Sequence, residues 1–574
     1  MSSERQKSES KVEAAKRNSR QLRGTIAQTL ASDATHFVED DAQILKPHGV
    51  YQQDDREHRH ERREQGVGKA YMFMIRCAIP GGSLTAEQYL ALDALADPCA
   101  NGTLRITTRQ GFQFHRVLMD NLKAAVAGIN RAMLTTLGAC GDNGRNVMTC
   151  PAPLADEPHV RLREVAGEVA RQLRPATRAY HEIWLGGEKL ASTEPEEPFY
   201  GEQYLPRKFK TAIALDTDNC VDVYNDDCGL IAIVRDGRIT GFNVLVGGGL
   251  GMTHNKADTV ARLAEPLGFV LPTHAVETVR AVAAIFRDHG NRADRRHARL
   301  KYLLAEWGIE RFREEFRRRV AFELAPSAPL PPPVFHDHLG AARQDDGRWF
   351  YGVFVENGRI ADRPDERMRT ALRTVIDRHR PRVVLTPHQN MLLGDLTETA
   401  LADVRSTLKA HGVRLTEELS AVRRYAMACP ALPTCGLALA ESERAMPGVL
   451  DRFEAELASL GLRDVPITFR MTGCPNGCAR PYTADIAFVG RRPGAYHIYV
   501  GGGLPGDRVV DLFAADVPVD KLVETLRPLL TAWARDRRDG EGFGDYYQRR
   551  LGRSTRRTLI TGNETPAAGA VAWQ

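Results

Sequence analysis

Four cysteines in two pairs near the C-terminal end offer the clearest chemistry in this chain: Cys429-Pro-Ala-Leu-Pro-Thr-Cys435 and Cys474-Pro-Asn-Gly-Cys478. The spacing is C-x5-C, then 38 residues, then C-x3-C. Each pair sits in a Pro- or Gly-bearing turn that can aim thiolates inward and leave backbone N–H groups free to face sulfur. Four thiolates suit zinc or an iron–sulfur cluster. Zinc knuckles typically separate their cysteines by about two to four residues, so the longer gap counts against zinc. Disulfides are a third option, but the opening MSSERQKSES lacks the apolar stretch of a signal peptide. Ten cysteines without an export signal point to a reducing compartment. The six outside the pairs, Cys77, Cys99, Cys140, Cys150, Cys220 and Cys228, are expected to be buried thiols.

A second constellation is cationic. In Leu104-Arg-Ile-Thr-Thr-Arg-Gln-Gly-Phe-Gln-Phe-His115, the polar residues Arg105, Thr107, Arg109, Gln113 and His115 alternate with Leu104, Ile106, Phe112 and Phe114. Period two puts the two sets on opposite faces of extended chain, with Gln110-Gly111 as the bend. Alone, this is an ordinary half-exposed hairpin; beside a polyanion it is a row of donors. Arg207 is a similar candidate. Arg76 ends the apolar strand YMFMIRCAI, where a charge is costly unless paired or hydrated. Arg145 lies in GDNGRNVM, and Lys208 and Lys210 alternate in PRKFKT, so both point to one face. Taken singly, each of these cations reads as a surface ion pair.

The elements that must hold these residues fall into two similar halves. APSAPLPPPV (325–334), with five prolines in ten residues, is a stiff extended linker. On either side of it, Ile106-Thr-Thr-Arg-Gln110 matches Leu385-Thr-Pro-His-Gln389, and Arg145 to Ala152 matches Arg424 to Ala431, both at an offset of 279. Leu205 to Lys210 resembles Val465 to Arg470 at 260, and Val246-Gly-Gly-Gly-Leu250 matches Val500-Gly-Gly-Gly-Leu504 at 254. Four matches in one order signal an internal repeat. Cys150 then corresponds to Cys429, while the first copy shows no counterpart of Cys435, Cys474 or Cys478. One half is expected to carry the complete cluster set, with Cys150 a relic. Strands are expected at 70–79, 104–108, 205–215, 228–234 and 241–249, helices at 85–96 and 158–173, and mainly helix from 255 to 321. Residues 1–40 read as a polar, partly helical arm. The tail TGNETPAAGAVAWQ carries no usable signal.

Composition excludes some classes. With 78 basic and 73 acidic residues, net +5, the chain lacks the basic excess of a nucleic-acid binder. It has no run of 18 apolar residues, so no membrane span is expected. Gly501-Gly-Gly-Leu-Pro-Gly506 formally fits G-x-G-x-x-G, but its counterpart at 247–252 ends in Met252 and no βαβ unit is evident. It reads as a tight glycine turn, so no nicotinamide or flavin site of the chain's own is expected.

CPALPTCGLALAESER and TGCPNGCARPYTADIAFVG resemble the cluster-binding segments of the sulfite and nitrite reductases, and HGVYQQDDR (48–56) resembles another segment of that family. The resemblance runs from about residue 45 to about 547, and is strongest to the haemoproteins of NADPH-dependent assimilatory sulfite reduction. It implies an α+β fold with a pseudo-two-fold repeat: a composite ferredoxin-like domain from 1–145 and 346–421, and two mixed α/β domains at 146–345 and 422–574. It implies a [4Fe-4S] cluster on Cys429, Cys435, Cys474 and Cys478, with Cys478 also bridging to the iron of a sirohaem. Arg105, Arg109, His115, Gln113 and Arg207 would meet the acid groups of the macrocycle. Arg76, Arg145, Lys208 and Lys210 would bind sulfite and relay protons for its six-electron reduction to sulfide, in cysteine biosynthesis. Nitrite-reducing relatives typically have asparagine where Lys210 stands, so Lys210 favours sulfite. The family usually has asparagine where Gly144 stands, which puts the loop geometry beside Arg145 in question. The expected location is cytoplasmic, and the expected donor is a flavoprotein carrying FAD and FMN, reduced by NADPH. The nearest rivals are a ferredoxin-dependent sulfite reductase and, behind it, a nitrite reductase. A rival of another class is an iron–sulfur electron carrier or zinc-stabilised scaffold, which would lack a haem spectrum.

Overall fold

The strand-forming runs of the sequence sort into four five-stranded sheets and one two-stranded ribbon in the computed structural model, which describes residues 9–187, 195–551 and 559–561. The sheets form two pairs of twins. In the first pair, one sheet has the order Val50–Asp54, Tyr71–Arg76, Phe112–Val117, Leu104–Ile106, Arg359–Ile360. Its twin runs Gly340–Arg343, Trp349–Val353, Met391–Leu396, Arg382–Leu385, Ser83–Leu84. Every pairing in both is antiparallel. The edge strands are exchanged: each half of the chain lends a two-residue strand to the sheet of the other. The crossings are tight. A Cβ on Gly82 (φ 73°) would lie 2.4 Å from the Leu385 carbonyl oxygen, and one on Gly358 (φ 76°) 2.3 Å from that of Ile106, its repeat equivalent. Only glycine combines that approach with a positive φ.

The second pair is mixed. Met148–Thr149, Thr211–Leu215 and Cys228–Arg235 run parallel, followed by antiparallel Arg238–Val246 and Glu265–Val270. The twin has Met427–Ala428, Phe469–Thr472 and Ile486–Arg492 parallel, then Ala495–Val500 and Asp511–Pro518 antiparallel. Register fixes the correspondence: Met148 pairs with Ala212 as Met427 pairs with Arg470. The middle segments are therefore related by 258 residues, not the 260 suggested by matching Lys210 with Arg470. At 258, Cys220 falls opposite Cys478, so the first half does hold a counterpart of one of those three cysteines. Loops of unequal length around short strands hid it from sequence matching.

Other expectations need revision. Residues 205–210 are turn and loop, with strand beginning at Thr211. The stretch 255–321 contains the strands Val260–Arg262 and Glu265–Val270 before its helices Ala275–His289 and Leu300–Arg317. Strand Gly340–Arg343 already belongs to the second ferredoxin-like sheet, so that half starts a little ahead of 346. Helix Ala86–Cys99 begins at Thr85, whose side chain forms a capping box with Gln88. From residue 9 the N-terminal arm packs onto the body: Leu22, Ile26 and Phe37 join the main core, and Lys16 Nζ donates to the Leu205 carbonyl at 2.8 Å. The first eight residues and the tail from 562 lie outside the described residues. After strand Ala495–Val500, the glycine turn leads to strand Asp511–Pro518 without an intervening helix, as a dinucleotide unit would require. Among the described residues, no helix is long and apolar enough to cross a membrane.

Candidate active site

The four paired cysteines sit in loops that leave the ends of neighbouring parallel strands. Cys429 follows Met427–Ala428 and Cys474 follows Phe469–Thr472. Both are buried, Cys435 is half-buried and Cys478 is exposed, and none is in a disulfide. Backbone and amide N–H groups face the sulfurs, Gly473 N on Cys429 Sγ at 3.4 Å and Asn476 Nδ2 on Cys474 Sγ at 3.6 Å. The sulfurs are close enough to repel one another as thiolates. Burial, reinforced by Cys478, raises the Cys429 and Cys435 thiols and pushes that of Cys474 up to about 12. Four mutually repelling sulfurs with N–H donors around them fit a cationic inorganic core.

Cys478 opens onto a cleft lined by Thr108, Arg109, Lys208, Lys210, Arg299 and Arg480, with Asn225, Asp226 and Gly251 among the other walls. Three of the sequence candidates, Arg109, Lys208 and Lys210, thus meet the exposed cysteine. Arg109 lies in the turn after Leu104–Ile106, where Thr107 N donates to Gly111 O at 2.8 Å. Its guanidinium pairs with Asp226 at 2.8 Å and donates to the carbonyls of Asn146 (2.7 Å) and Thr211 (2.8 Å). Burial, helped by Lys210 and Arg299, holds the Lys208 amine well below its usual range. Burial with Arg109 and Arg299 lowers Lys210 to about 8, against the pull of Asp226 and Asp227. Both amines therefore hold their protons loosely.

The other six candidates, Arg76, Arg105, Gln113, His115, Arg145 and Arg207, are not among the residues that line this cleft. Arg145 is buried behind it, donating to the carbonyls of Gly141 (2.8 Å) and Ala139 (3.3 Å), close enough for its charge to act on Arg109. Arg207 approaches Asp142 at 3.9 Å, and burial together with Arg295 lowers it to about 10. Arg76, Gln113, Arg105 and Arg359 form one cross-strand row. With its amide oxygen toward Arg76, Gln113 accepts at 3.1 and 2.6 Å from that guanidinium, and its nitrogen meets His115 Nε2 at 3.3 Å. His115 is buried, and burial keeps its ring neutral. Arg105 is committed elsewhere, pairing with Glu443 at 2.8 Å and donating to the Ala428 carbonyl, next to Cys429, at 2.9 Å. It braces the cysteine loop instead of facing the cleft. The hairpin is buried on both faces, so the half-exposed reading does not hold.

Sequence reasoning missed several wall residues. Arg299 grips Asp227 through both carboxylate oxygens at 2.8–2.9 Å, while Asp227 accepts from the Lys210 N–H at 2.9 Å. Outside the lining itself, buried Lys301 supports the wall residue Gly251, donating to its carbonyl at 2.8 Å and to that of Gly249 at 3.0 Å. Arg480 donates to Thr108 O at 2.8 Å and Pro387 O at 2.9 Å, two carbonyls equivalent under the repeat. Its position two residues past Cys478 was the available signal. Buried atoms without protein partners, including Arg109 Nε and Asn225 Oδ1, remain at the cleft. Their presence with so many cations fits a large, anionic group such as sirohaem.

Comparison with known proteins agrees with this arrangement. The description "Nitrite/Sulfite reductase ferredoxin-like half domain" matches residues 63–132 and 341–411, the two halves that exchange strands. The description "Nitrite and sulphite reductase 4Fe-4S domain" matches 165–324 and 421–554. The chain is 44% identical over 548 residues to the sulfite reductase [NADPH] hemoprotein beta-component of Staphylococcus haemolyticus, covering 95% of this chain and 96% of that one. It is 45% identical over 561 residues to the sulfite reductase [ferredoxin] of Synechococcus elongatus, covering 94% and 89%. The structure of Mycobacterium tuberculosis NirA superposes with a TM-score of 0.77 at 27% identity, covering 93% of this chain and 95% of that one. Twin sheets, twin family matches and near-full-length identity lead to one conclusion: the chain belongs to the nitrite and sulphite reductase family.

Proposed function

We propose that this protein is the haemoprotein of an NADPH-dependent sulfite reductase, reducing sulfite to sulfide with six electrons. The observation that carries the reading is the meeting of Cys478 with Arg109, Lys208 and Lys210 around one cleft. Relatives named as sulfite reductases, at 44–45% identity, support the choice of substrate. Cys429, Cys435, Cys474 and Cys478 would hold a [4Fe-4S] cluster, with Cys478 also reaching the sirohaem iron. Arg109 and Arg207, with His115 and Gln113 behind them, would meet the carboxylates of the macrocycle. Arg105 supports that site through the Cys429 loop.

When bound, the paired cofactors supply single electrons and an iron that can take the sulfur of the anion. The chain supplies charge and protons. Lys208 and Lys210 draw a dianion into the cleft, and the Lys210 amine, lowered to about 8, can release its proton near neutral pH, as reduction of S–O bonds demands. Arg145 and Arg76 add to the positive field. Two cations where a monoanion would need fewer favour sulfite over nitrite. A flavoprotein fed by NADPH is the donor we propose; the name of the Synechococcus relative makes ferredoxin the second reading.

The test is an absorption spectrum with iron and sulfide analysis, followed by turnover with a chemical reductant on sulfite and on nitrite. We expect haem bands and sulfide production favoured over nitrite reduction. A colourless protein from a host that makes sirohaem would refute the reading. Turnover with a diflavin reductase or with reduced ferredoxin then separates the donors.

A further inference from the structure

The pseudo-twin of the cluster position is itself a ligand set. Cys150 corresponds to Cys429 in the repeat, and Cys220 to Cys478. Together with Asp218 and His338 they bring four ligand atoms within 4.8 Å of one another. Cys150 Sγ lies 3.5 Å from His338 Nε2 and 3.6 Å from Asp218 Oδ2, and those two atoms are 3.0 Å apart. For a tetrahedral zinc with ordinary bond lengths, sulfur-to-nitrogen and sulfur-to-oxygen edges are about 3.5 Å, and a nitrogen-to-oxygen edge is about 3.3 Å. The observed edges are close to these.

We propose that Cys150, Cys220, Asp218 and His338 bind a structural zinc ion. Two features favour this over a catalytic or redox role. A Cys–His–Asp relay uses opposite ring nitrogens for sulfur and carboxylate. Here one nitrogen, His338 Nε2, faces both, so the groups converge on a common point. The site is also closed: Cys150, Cys220 and Asp218 are at most 5% exposed, leaving four protein ligands and no open position. Two thiolates with an imidazole and a carboxylate suit zinc.

The surroundings hold the ligands in place. Asp218 Oδ1 accepts from the His336 N–H at 3.1 Å, and Asn219 N donates to Val334 O at 2.8 Å. His338 has φ 57°, a left-handed backbone that turns its ring back toward Asp218. His338 lies four residues past the proline linker, whereas Cys150, Asp218 and Cys220 belong to the first mixed domain. The ion would pin the end of the linker to that domain. Next to His338, Asp337 is held by Arg424 of the second half. Cys150 is thus no relic but one corner of a diverged metal site.

Untagged, full-length protein purified without chelator should carry about one zinc per chain in addition to its iron. Zinc K-edge absorption should fit two sulfurs at about 2.3 Å and two nitrogen or oxygen atoms at about 2.0–2.1 Å. Cys220→Ser and His338→Ala should each lower zinc content by about tenfold or more, with iron content unchanged. Iron content reports an intact remainder, and His338→Ala, at the rim, covers the case in which the cysteine variant does not fold. Less than about a tenth of a zinc per chain in the wild type, zinc retained by both variants, or a Cys150–Cys220 disulfide in the unreduced protein would overturn the proposal.

Discussion

Asp222 and Arg480 occupy the same place in the two halves and form an ion pair with each other. Each is the left-handed residue before a short 3-10 helix, with φ/ψ of 53°/50° and 52°/49°. The repeat has put opposite charges at equivalent positions, and Arg480 Nε meets Asp222 Oδ2 at 2.5 Å. Fully buried Arg470 adds a second contact at 3.1 Å. Asp222→Ala would leave two buried guanidiniums without their counter-charge. We expect a loss of about 3 kcal/mol in unfolding free energy, measured by denaturant titration.

If Lys210 binds the anion as proposed, it should set both pH response and substrate preference. Its amine titrates at about 8, lowered by burial and by Arg109 and Arg299. If the charged form binds sulfite, kcat/KM should be maximal below about pH 7 and fall as pH rises through about 8. Lys210→Arg, always charged, should move that alkaline limb upward. Lys210→Asn should raise KM for sulfite about tenfold, about 1.4 kcal/mol, and narrow the preference over nitrite. Steady-state kinetics across pH check all three.

Cys478 differs from its three partners in being exposed to the cleft. Cys478→Ser should bring sulfide production below about 1% of wild type and shift the haem bands. Unchanged turnover in this variant would argue against any bridging role.

His48 makes acid sensitivity a property of the fold. Its Nε2 donates to Leu22 O at 2.9 Å while Nδ1 accepts from Trp184 Nε1 at 3.2 Å, so the neutral ring is fully satisfied. Burial lowers its titration from 6.5 to about 4. A depressed folded value means this stability is present above about 6.5 and is lost as pH falls toward 4. It amounts to about 3 kcal/mol. His48→Gln should unfold with a shallower pH dependence over that window, as thermal melts at several pH values would report.

Much of this was legible in the sequence because the relevant signals are local. The cysteine spacing, the alternating Lys208 and Lys210, and the repeat at 106–110 and 385–389 need no third dimension. What stayed hidden depends on register. Cys220 could be paired with Cys478 only after Met148–Ala212 and Met427–Arg470 fixed the offset. Arg299, at the start of helix Leu300–Arg317, is far in sequence from Arg109 and Lys210, and only folding turns it toward the cleft. Arg105 looked like its neighbour Arg109, yet Glu443, 338 residues away, claims it.

The exchange of short edge strands between the ferredoxin-like sheets has a consequence for how the molecule comes apart. Severing the chain inside 325–334 would not release two halves, since Ser83–Leu84 and Arg359–Ile360 each remain stitched into the opposite piece. The nicked fragments should travel as one particle in gel filtration. Either piece made alone would bare an unfilled sheet margin and clump with copies of itself.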